Sequence, residues 1–215
     1  MASEWWRRLP DGQRREYERS DAIARVPLTH HPGLSAAVIE LDAALRGDDL
    51  HGTDQASQLL ATRICNGLGV PGVRVRVEGV RPHDRRGELH GLYTPGDGTR
   101  HDRILVWMRT AKRGDVVRTR TFLRTLLHEV CHHLDFVLFS LPNSFHSGGF
   151  YQRESSLLRV VVRGTPLARA PRTGTRVAAT APGEREARDA AASGSGIELL
   201  RAAAAAIAAR GRPDD

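Results

Sequence analysis

The chain has 215 residues, a net charge of +7 and a hydrophobic fraction of 40%, which favours one soluble domain long enough to bury a core. Its two cysteines, Cys65 and Cys131, exclude a disulfide framework and a four-cysteine zinc module, and are typical of a reducing cytoplasm. The first residues lack the apolar core of a signal peptide, and every apolar run is too short to span a membrane. We therefore expect a cytoplasmic protein with no membrane partner.

The basic charge raises the question of a nucleic-acid partner. The sequence pI is about 10.5, and Arg74 and Arg76 alternate with apolar residues in one segment. Lys112, however, is the only lysine among the 32 basic residues, a bias that a GC-rich genome produces by itself. Charge alone is a weak sign of nucleic-acid binding, so nucleic acid stays an alternative partner.

The first third of the sequence predicts helices. Residues 1–30 are rich in charge and should form a short helix or a loose arm. Apolar residues recur at helical spacing over 34–45 and again over about 53–66. Thr53 or Asp54 is a candidate cap for the second of these helices.

A β section follows these helices. Apolar and polar residues alternate over 73–78, as on a half-buried strand. Further strands are predicted over 89–94 and 104–108, the first of them ended by a Pro-Gly-Asp-Gly turn signal. The short spacing predicts a meander or a small mixed sheet.

The most apolar helix of the chain is predicted over about 121–139, with Thr119 or Thr121 as its cap. Apolar residues cover most of its circumference, so it should be central and buried. After a Leu-Pro-Asn-Ser break, another helix is predicted to start near Ser147 and to continue through Val161.

This central helix carries an HExxH motif made of His128, Glu129 and His132. Residues four apart lie on one face of an α-helix, so the two imidazoles can bind one metal ion. Glu129 lies beside them as a candidate general base. Ionisable side chains on a buried helix are costly without partners, and a bound Zn²⁺ ion supplies one.

A catalytic zinc site needs a third protein ligand, and the sequence offers three candidates. His146 follows the helix break, which lets the chain reverse toward the metal. Glu154, on the next predicted helix, would give a two-histidine, one-glutamate site. Asp135 lies one turn beyond His132, where it suits an orienting partner better than a ligand. His146 is the favoured candidate.

The segment from His146 to Phe150 resembles the His-Gly-x-x-Phe segment of SprT-like zinc metalloproteases. The resemblance covers roughly residues 100–160, and Ser147 stands where the family has glycine. It rests on a strand followed by these matching positions: His128, Glu129, His132, His146 and Phe150. The family resemblance implies a zincin fold, peptide-bond hydrolysis and His146 as the third zinc ligand.

These observations together predict an α+β fold. We expect a zincin-like domain over 31–163, in which a small sheet packs on the central HExxH helix. Residues 1–30 form an arm or short helix before it. Residues 164–215 are rich in Ala, Arg, Gly, Pro and Thr and are expected to form a flexible tail, with a terminal helix predicted over 197–209.

The predicted reaction is hydrolysis of a peptide bond in a protein or peptide substrate. Zinc polarises the scissile carbonyl and acidifies water, and Glu129 moves the proton. Tyr151 and Arg153 are candidates for stabilising the transition state, because they lie close to His146 in sequence. His133 points about 100° away from His132 on the helix and is predicted to pack or to orient a ligand, and Cys131 should be a small buried side chain.

Three alternatives stay open on the sequence alone. A zinc hydrolase acting on a non-peptide amide would use Glu129 in the same way. A binding module with a structural metal would have no open coordination position. A nucleic-acid-associated protein would use Arg74, Arg76 and the arginine-bearing tail, and its binding would weaken steeply with salt.

Overall fold

The computed structural model describes residues 4–84, 87–97 and 99–168. The predicted terminal helix over 197–209 and most of the predicted tail lie outside these residues. Described residues 4–81 and 90–168 belong to one compact unit, and residues 82–89 belong to a second. The first unit contains the HExxH motif.

The helices that the sequence predicts within the described residues are all present. The α-helices are α1 (Asp11–Ala22), α2 (Pro32–Arg46), α3 (Leu50–Leu68), α4 (Thr119–Val137) and α5 (Gly148–Val161). Short 3-10 helices occur at Glu4–Arg8 and Pro166–Ala168. Within the part of the chain that the structure describes, no helix is both long enough and apolar enough to cross a membrane.

The helix caps predicted from the sequence are wrong, because both helices begin earlier. The carboxylate of Asp49 caps α3 by accepting a hydrogen bond from the Gly52 N–H at 2.9 Å, which leaves Thr53 inside the first turn. The α4 helix begins after Arg118 without a side-chain cap. The hydroxyl of Thr119 instead donates to Asp42 at 2.6 Å.

The strands form a small mixed sheet. They are β1 (Arg74–Val80), β2 (His83–Asp84), β3 (Gly87–Glu88), β4 (Gly91–Thr94) and β5 (Arg103–Arg109). In the first unit the strand order is β1-β5-β4, with β1 parallel and β4 antiparallel to β5. The second unit contains the antiparallel pair β2 and β3. The mixed sheet and the α+β class are confirmed, and the meander is wrong because β1 and β5 are parallel.

One face of this sheet packs against α4 in a core of aliphatic side chains. Val77, Ile104 and Val106 are almost fully buried on the sheet, and Phe122 and Val130 are fully buried on α4. The α4 helix lies against β4, β5 and α5. The HExxH helix is therefore central, as its apolar pattern predicts.

The β1 edge of the sheet is closed by two polar side chains of α3. The Val77 N–H donates to Asp54 Oδ1 at 2.7 Å, and the Val75 N–H donates to Gln58 Oε1 at 2.8 Å. Gln58 Nε2 donates in turn to the Val73 carbonyl at 3.1 Å. Because edge strands expose backbone groups that can pair with another chain, α3 blocks strand addition here, and β4 forms the opposite edge of the three-stranded sheet.

The folded region is longer than the predicted 31–163 at both ends. The α1 helix belongs to the same compact unit as α4 and α5. Thr165 is only 5% exposed, and Arg120 donates to the Leu167 carbonyl at 2.9 Å. Packing therefore continues to at least residue 167.

The hydrogen bonds between Gln58 and the backbone of β1 predict that a substitution at Gln58 destabilises the fold. Gln58→Leu should lower the free energy of unfolding by about 1–3 kcal/mol, because the Val75 N–H and Val73 carbonyl lose their partner. Chemical denaturation measures the change. Gln55→Leu, at an exposed position of the same helix, is the matched control and should have little effect. Equal stabilities of the two variants would contradict this account of the β1 edge.

Candidate metal centre

Three histidines converge at one point of the first unit. His128 and His132 come from successive turns of α4, and His146 comes from the loop that precedes α5. One ring nitrogen from each lies within 4.8 Å of the others, and the Nε2 atoms of His132 and His146 are 3.0 Å apart. Nitrogens that share a tetrahedral zinc at about 2.0–2.1 Å lie about 3.3 Å apart. This group could therefore bind a metal ion.

The electrostatics of the cluster favour neutral imidazoles at two positions. Burial, together with the charge of His128, lowers the pKa of His132 well below its usual value and lowers the pKa of His146 to about 3. Burial also acts to lower the pKa of His128, but its hydrogen bond to Glu154 and the charge of Glu129 outweigh burial and raise it. His132 and His146 thus keep lone pairs that can bind a metal at neutral pH.

The Nδ1 atoms of both motif histidines have polar partners. His128 Nδ1 lies 3.3 Å from Glu154 Oε2, and His132 Nδ1 lies 2.7 Å from Ser144 Oγ. Ser144 donates its own proton to Asp135 at 2.7 Å, so its oxygen accepts from His132. Partners on Nδ1 leave Nε2 available to bind a metal. Glu154 and Asp135 are thus placed to orient ligands, while His146 lies in the cluster.

The ring of Phe150 forms the apolar floor of the cluster. Its centroid lies 4.9, 4.8 and 5.0 Å from the ring centroids of His128, His132 and His146. Phe150 is fully buried, and Ser147 caps α5 by accepting from the Phe150 N–H at 3.2 Å. The segment that resembles the SprT-like motif therefore supplies both a histidine and the ring packed beneath all three.

Glu129 is buried beside the cluster and lies against the edge strand β4. It is 6% exposed, and burial raises the pKa of its carboxyl to about 7. The carboxylate accepts a hydrogen bond from the backbone N–H of Tyr93. A Cβ atom built at Gly91 would lie 2.5 Å from Glu129 Oε1. Gly91 therefore leaves the space that this carboxylate fills, a role that nothing in the local sequence indicates.

The two candidate transition-state residues occupy different environments. The ring of Tyr151 lies 6.0 Å from His146 and 6.5 Å from His128, centroid to centroid, and its transition-state role stays a prediction. Arg153 is fully buried, and its guanidinium lies 3.0 Å from Asp135 Oδ1. That placement favours a structural role for Arg153 over contact with a substrate.

His133 and Cys131 face away from the cluster. His133 is fully buried, and its Nδ1 lies 2.8 Å from Asp102 Oδ2 while its Nε2 lies 2.9 Å from the Pro71 carbonyl. Asp102 also accepts from the Tyr93 hydroxyl at 2.9 Å. Cys131 is 1% exposed, and burial raises the pKa of its thiol. His133 thus holds α4 to the β4–β5 region, and Cys131 packs in the core.

Comparisons with known proteins give no relative for this chain. No family model, no curated protein and no solved structure matches it. Support for a function therefore comes from the geometry of the site and from the resemblance of its motifs to those of SprT-like proteases.

The geometry predicts different losses of metal affinity at His146 and Glu154. His146→Ala removes a ligand nitrogen, whereas Glu154→Ala removes only the partner of His128. Loss of such a partner typically costs about 10–100-fold in affinity, and loss of the ligand should cost more. Competition with a zinc chelator measures both, with the exposed His51→Ala as the matched histidine control.

The reverse order would change the assignment of the site. If the Glu154 variant loses the metal and the His146 variant keeps it, the site is a two-histidine, one-glutamate type. The SprT-like resemblance would then be withdrawn.

Proposed function

We propose that this protein is a zinc-dependent peptidase with a zincin-like site of the SprT-like kind. One observation carries the proposal: a buried carboxylate, Glu129, lies directly beside three converging imidazoles and against an edge strand. Zinc peptidases need these parts together, namely a ligand set with an open position, a base and a place for an extended chain.

The ligand set supports zinc as the metal and a catalytic use of it. Imidazole nitrogens suit zinc among the common divalent ions. Structural zinc sites have four protein ligands, whereas catalytic sites keep one position open. The group found among the described residues consists of His128, His132 and His146. A zinc ion held by these three side chains would have room for water or substrate as a fourth ligand.

The proposed chemistry assigns the proton movements to Glu129. When bound, zinc supplies Lewis-acid chemistry that polarises a carbonyl and acidifies water. Glu129 accepts the proton of the attacking water and delivers it to the departing amine. Its burial beside the cluster holds the carboxylate in place, which suits a group that must both take and return a proton. Tyr151 is the remaining candidate for stabilising the developing oxyanion.

The sheet supports a location for the substrate backbone. Asp54 and Gln58 close the β1 edge, whereas β4 is the edge that lies against Glu129. An extended peptide that adds a strand along β4 would bring its carbonyl groups toward the histidine cluster. Strand addition recognises backbone more than side chains, so the proposed substrate is an unfolded or flexible protein segment.

A second candidate function is association with nucleic acid, which one observation favours. Arg74 and Arg103 are direct neighbours in the register of β1 and β5, and both are exposed. Like charges directly opposite each other destabilise a sheet, so an anionic partner would offset the repulsion. Arg76 weakens this argument, because it lies 3.6 Å from Glu78 and 3.8 Å from Asp54.

The peptidase proposal predicts that Glu129→Gln keeps the metal and loses turnover. The ligands stay in place while the base is removed, and general acid–base catalysis contributes about 10²–10⁴-fold. Zinc content and cleavage of an unfolded protein substrate are measured together. Glu40→Gln, at an exposed position of α2, is the matched control and should cleave like the parent. Parent-level cleavage by the Glu129 variant would exclude the mechanism.

The packing of Glu129 against β4 predicts that a substitution at Gly91 also lowers turnover. Gly91→Ala should displace the Glu129 carboxylate, because the added Cβ would overlap it, and should lower kcat while zinc stays bound. Gly79→Ala is a suitable control, since a Cβ there meets nothing within 4 Å. If Gly91→Ala leaves kcat unchanged, the contact between β4 and Glu129 does not matter for the reaction.

A further inference from the structure

We propose that α1 is a positioning element of the metal centre, acting on His132 through Arg153, Asp135 and Ser144 and on His146 through the loop that precedes α5. The inference rests on the metal-binding part of the proposed function and extends it to a segment that the sequence predicts to be a short helix or a loose arm. In this role, residues that do not touch the metal would hold its histidine ligands in the orientation that binding requires.

The first link joins α1 to α5 through the guanidinium of Arg153. Arg153 NH1 donates to the carbonyls of Ser20 and Ile23, each at 2.6 Å, and NH2 donates to Ser20 Oγ at 3.1 Å. These carbonyls lie at the C-terminal end of α1, where the helix dipole favours a cation. The guanidinium also lies 5.6 Å from the ring centroids of Phe139 and Phe150.

The second link carries this anchoring to His132. Arg153 NH2 lies 3.0 and 3.1 Å from the two carboxylate oxygens of Asp135, and both side chains are fully buried. Asp135 accepts the proton of Ser144 at 2.7 Å, and Ser144 lies 2.7 Å from His132 Nδ1. Because the Ser144 proton points to Asp135, His132 must carry its own proton on Nδ1, which leaves Nε2 for the metal.

A separate set of contacts ties α1 to the loop that carries His146. Arg19 donates to the Phe139 carbonyl at 2.8 Å, and Asn143 donates to Glu16 Oε2 at 2.6 Å. The Gly149 N–H donates to Asp21 Oδ1 at 2.8 Å. These bonds lie on both sides of His146 in the chain.

The close approach of α1 to α5 leaves little freedom at this junction. A Cβ built on Gly149 would lie 2.2 Å from the Asp21 carbonyl oxygen and 2.7 Å from that of Ser20. The end of α1 thus packs directly on the first turn of α5. The α1 helix contacts the loop before α5, α5 itself and, through Arg153, the side chain of Asp135. Loss of these contacts would therefore loosen both His132 and His146.

Cobalt binding by the full chain tests the Ser144 link without requiring activity. Ser144→Ala should weaken Co²⁺ affinity by about 10–100-fold and change the visible absorption of the bound cobalt, because His132 loses the partner of its Nδ1. Ser144→Thr keeps the hydroxyl and should restore both. Ser35→Ala is the matched control, because its hydroxyl donates to the Arg163 carbonyl at 2.7 Å, far from the cluster in sequence and bonding.

A second pair of variants tests α1 itself. The double variant Arg19→Ala, Asp21→Ala should weaken Co²⁺ affinity and alter the spectrum in the same direction as Ser144→Ala. Asp11→Ala removes only an ion pair within α1, to Arg14 at 2.7 Å, and should bind cobalt like the parent. Thermal unfolding of every variant establishes that each is folded at the temperature of the titration.

The outcomes separate this inference from the proposed function. If the parent chain binds no cobalt or zinc, the metal centre and the role of α1 are both overturned. If the parent binds the metal and either the Ser144→Ala variant or the α1 double variant matches it in affinity and spectrum, only the positioning role is overturned.

Discussion

The rest of the structure depends on one constraint, the burial of ionisable side chains on an apolar helix. Glu129, His133 and Asp135 are buried on α4, and His128 and His132 are half-buried beside them. An unpaired ionised group in a protein interior costs several kcal/mol. Each of these side chains therefore needs a partner, and the partners come from elements far away in the sequence. The sheet, the loop before α5, α5 itself and α1 are arranged around that need.

The partners of these side chains come from two sides of α4, the sheet and α5. On one side, Asp102 pairs with His133 and also holds Tyr93, which fixes the β4–β5 region against the helix. On the other side, Glu154 contacts His128, and Arg153 neutralises Asp135. Glu129 lies between them, against β4. An arrangement that holds each group in one orientation is what metal-dependent hydrolysis requires of a scaffold, because misplaced catalytic groups lose most of their effect.

The features that a local pattern encodes could be predicted from the sequence. Helical periodicity located α2 to α5, and the HExxH spacing and the chain break identified His128, His132 and His146 as a group that the structure brings together. Partners brought in from distant elements could not be predicted. Gly91 and the end of α1 have no local signal, because their roles arise only when β4 packs on α4 and α1 packs on α5. Ser144 lies only 12 residues from His132, but its role depends on how the loop after α4 folds back. The predicted caps failed for a different, local reason, since Asp49 starts α3 one turn early and α4 begins after Arg118 without a side-chain cap.

X-ray absorption at the zinc edge of the protein loaded with one equivalent of Zn²⁺ tests the central claim most directly. The account predicts three imidazole nitrogens at about 2.0–2.1 Å and one further light atom from water, with one imidazole lost from the spectrum of His146→Ala. Four protein ligands around the metal would make the site structural and contradict a catalytic role. Failure of the chain to retain stoichiometric zinc would contradict the metal centre itself.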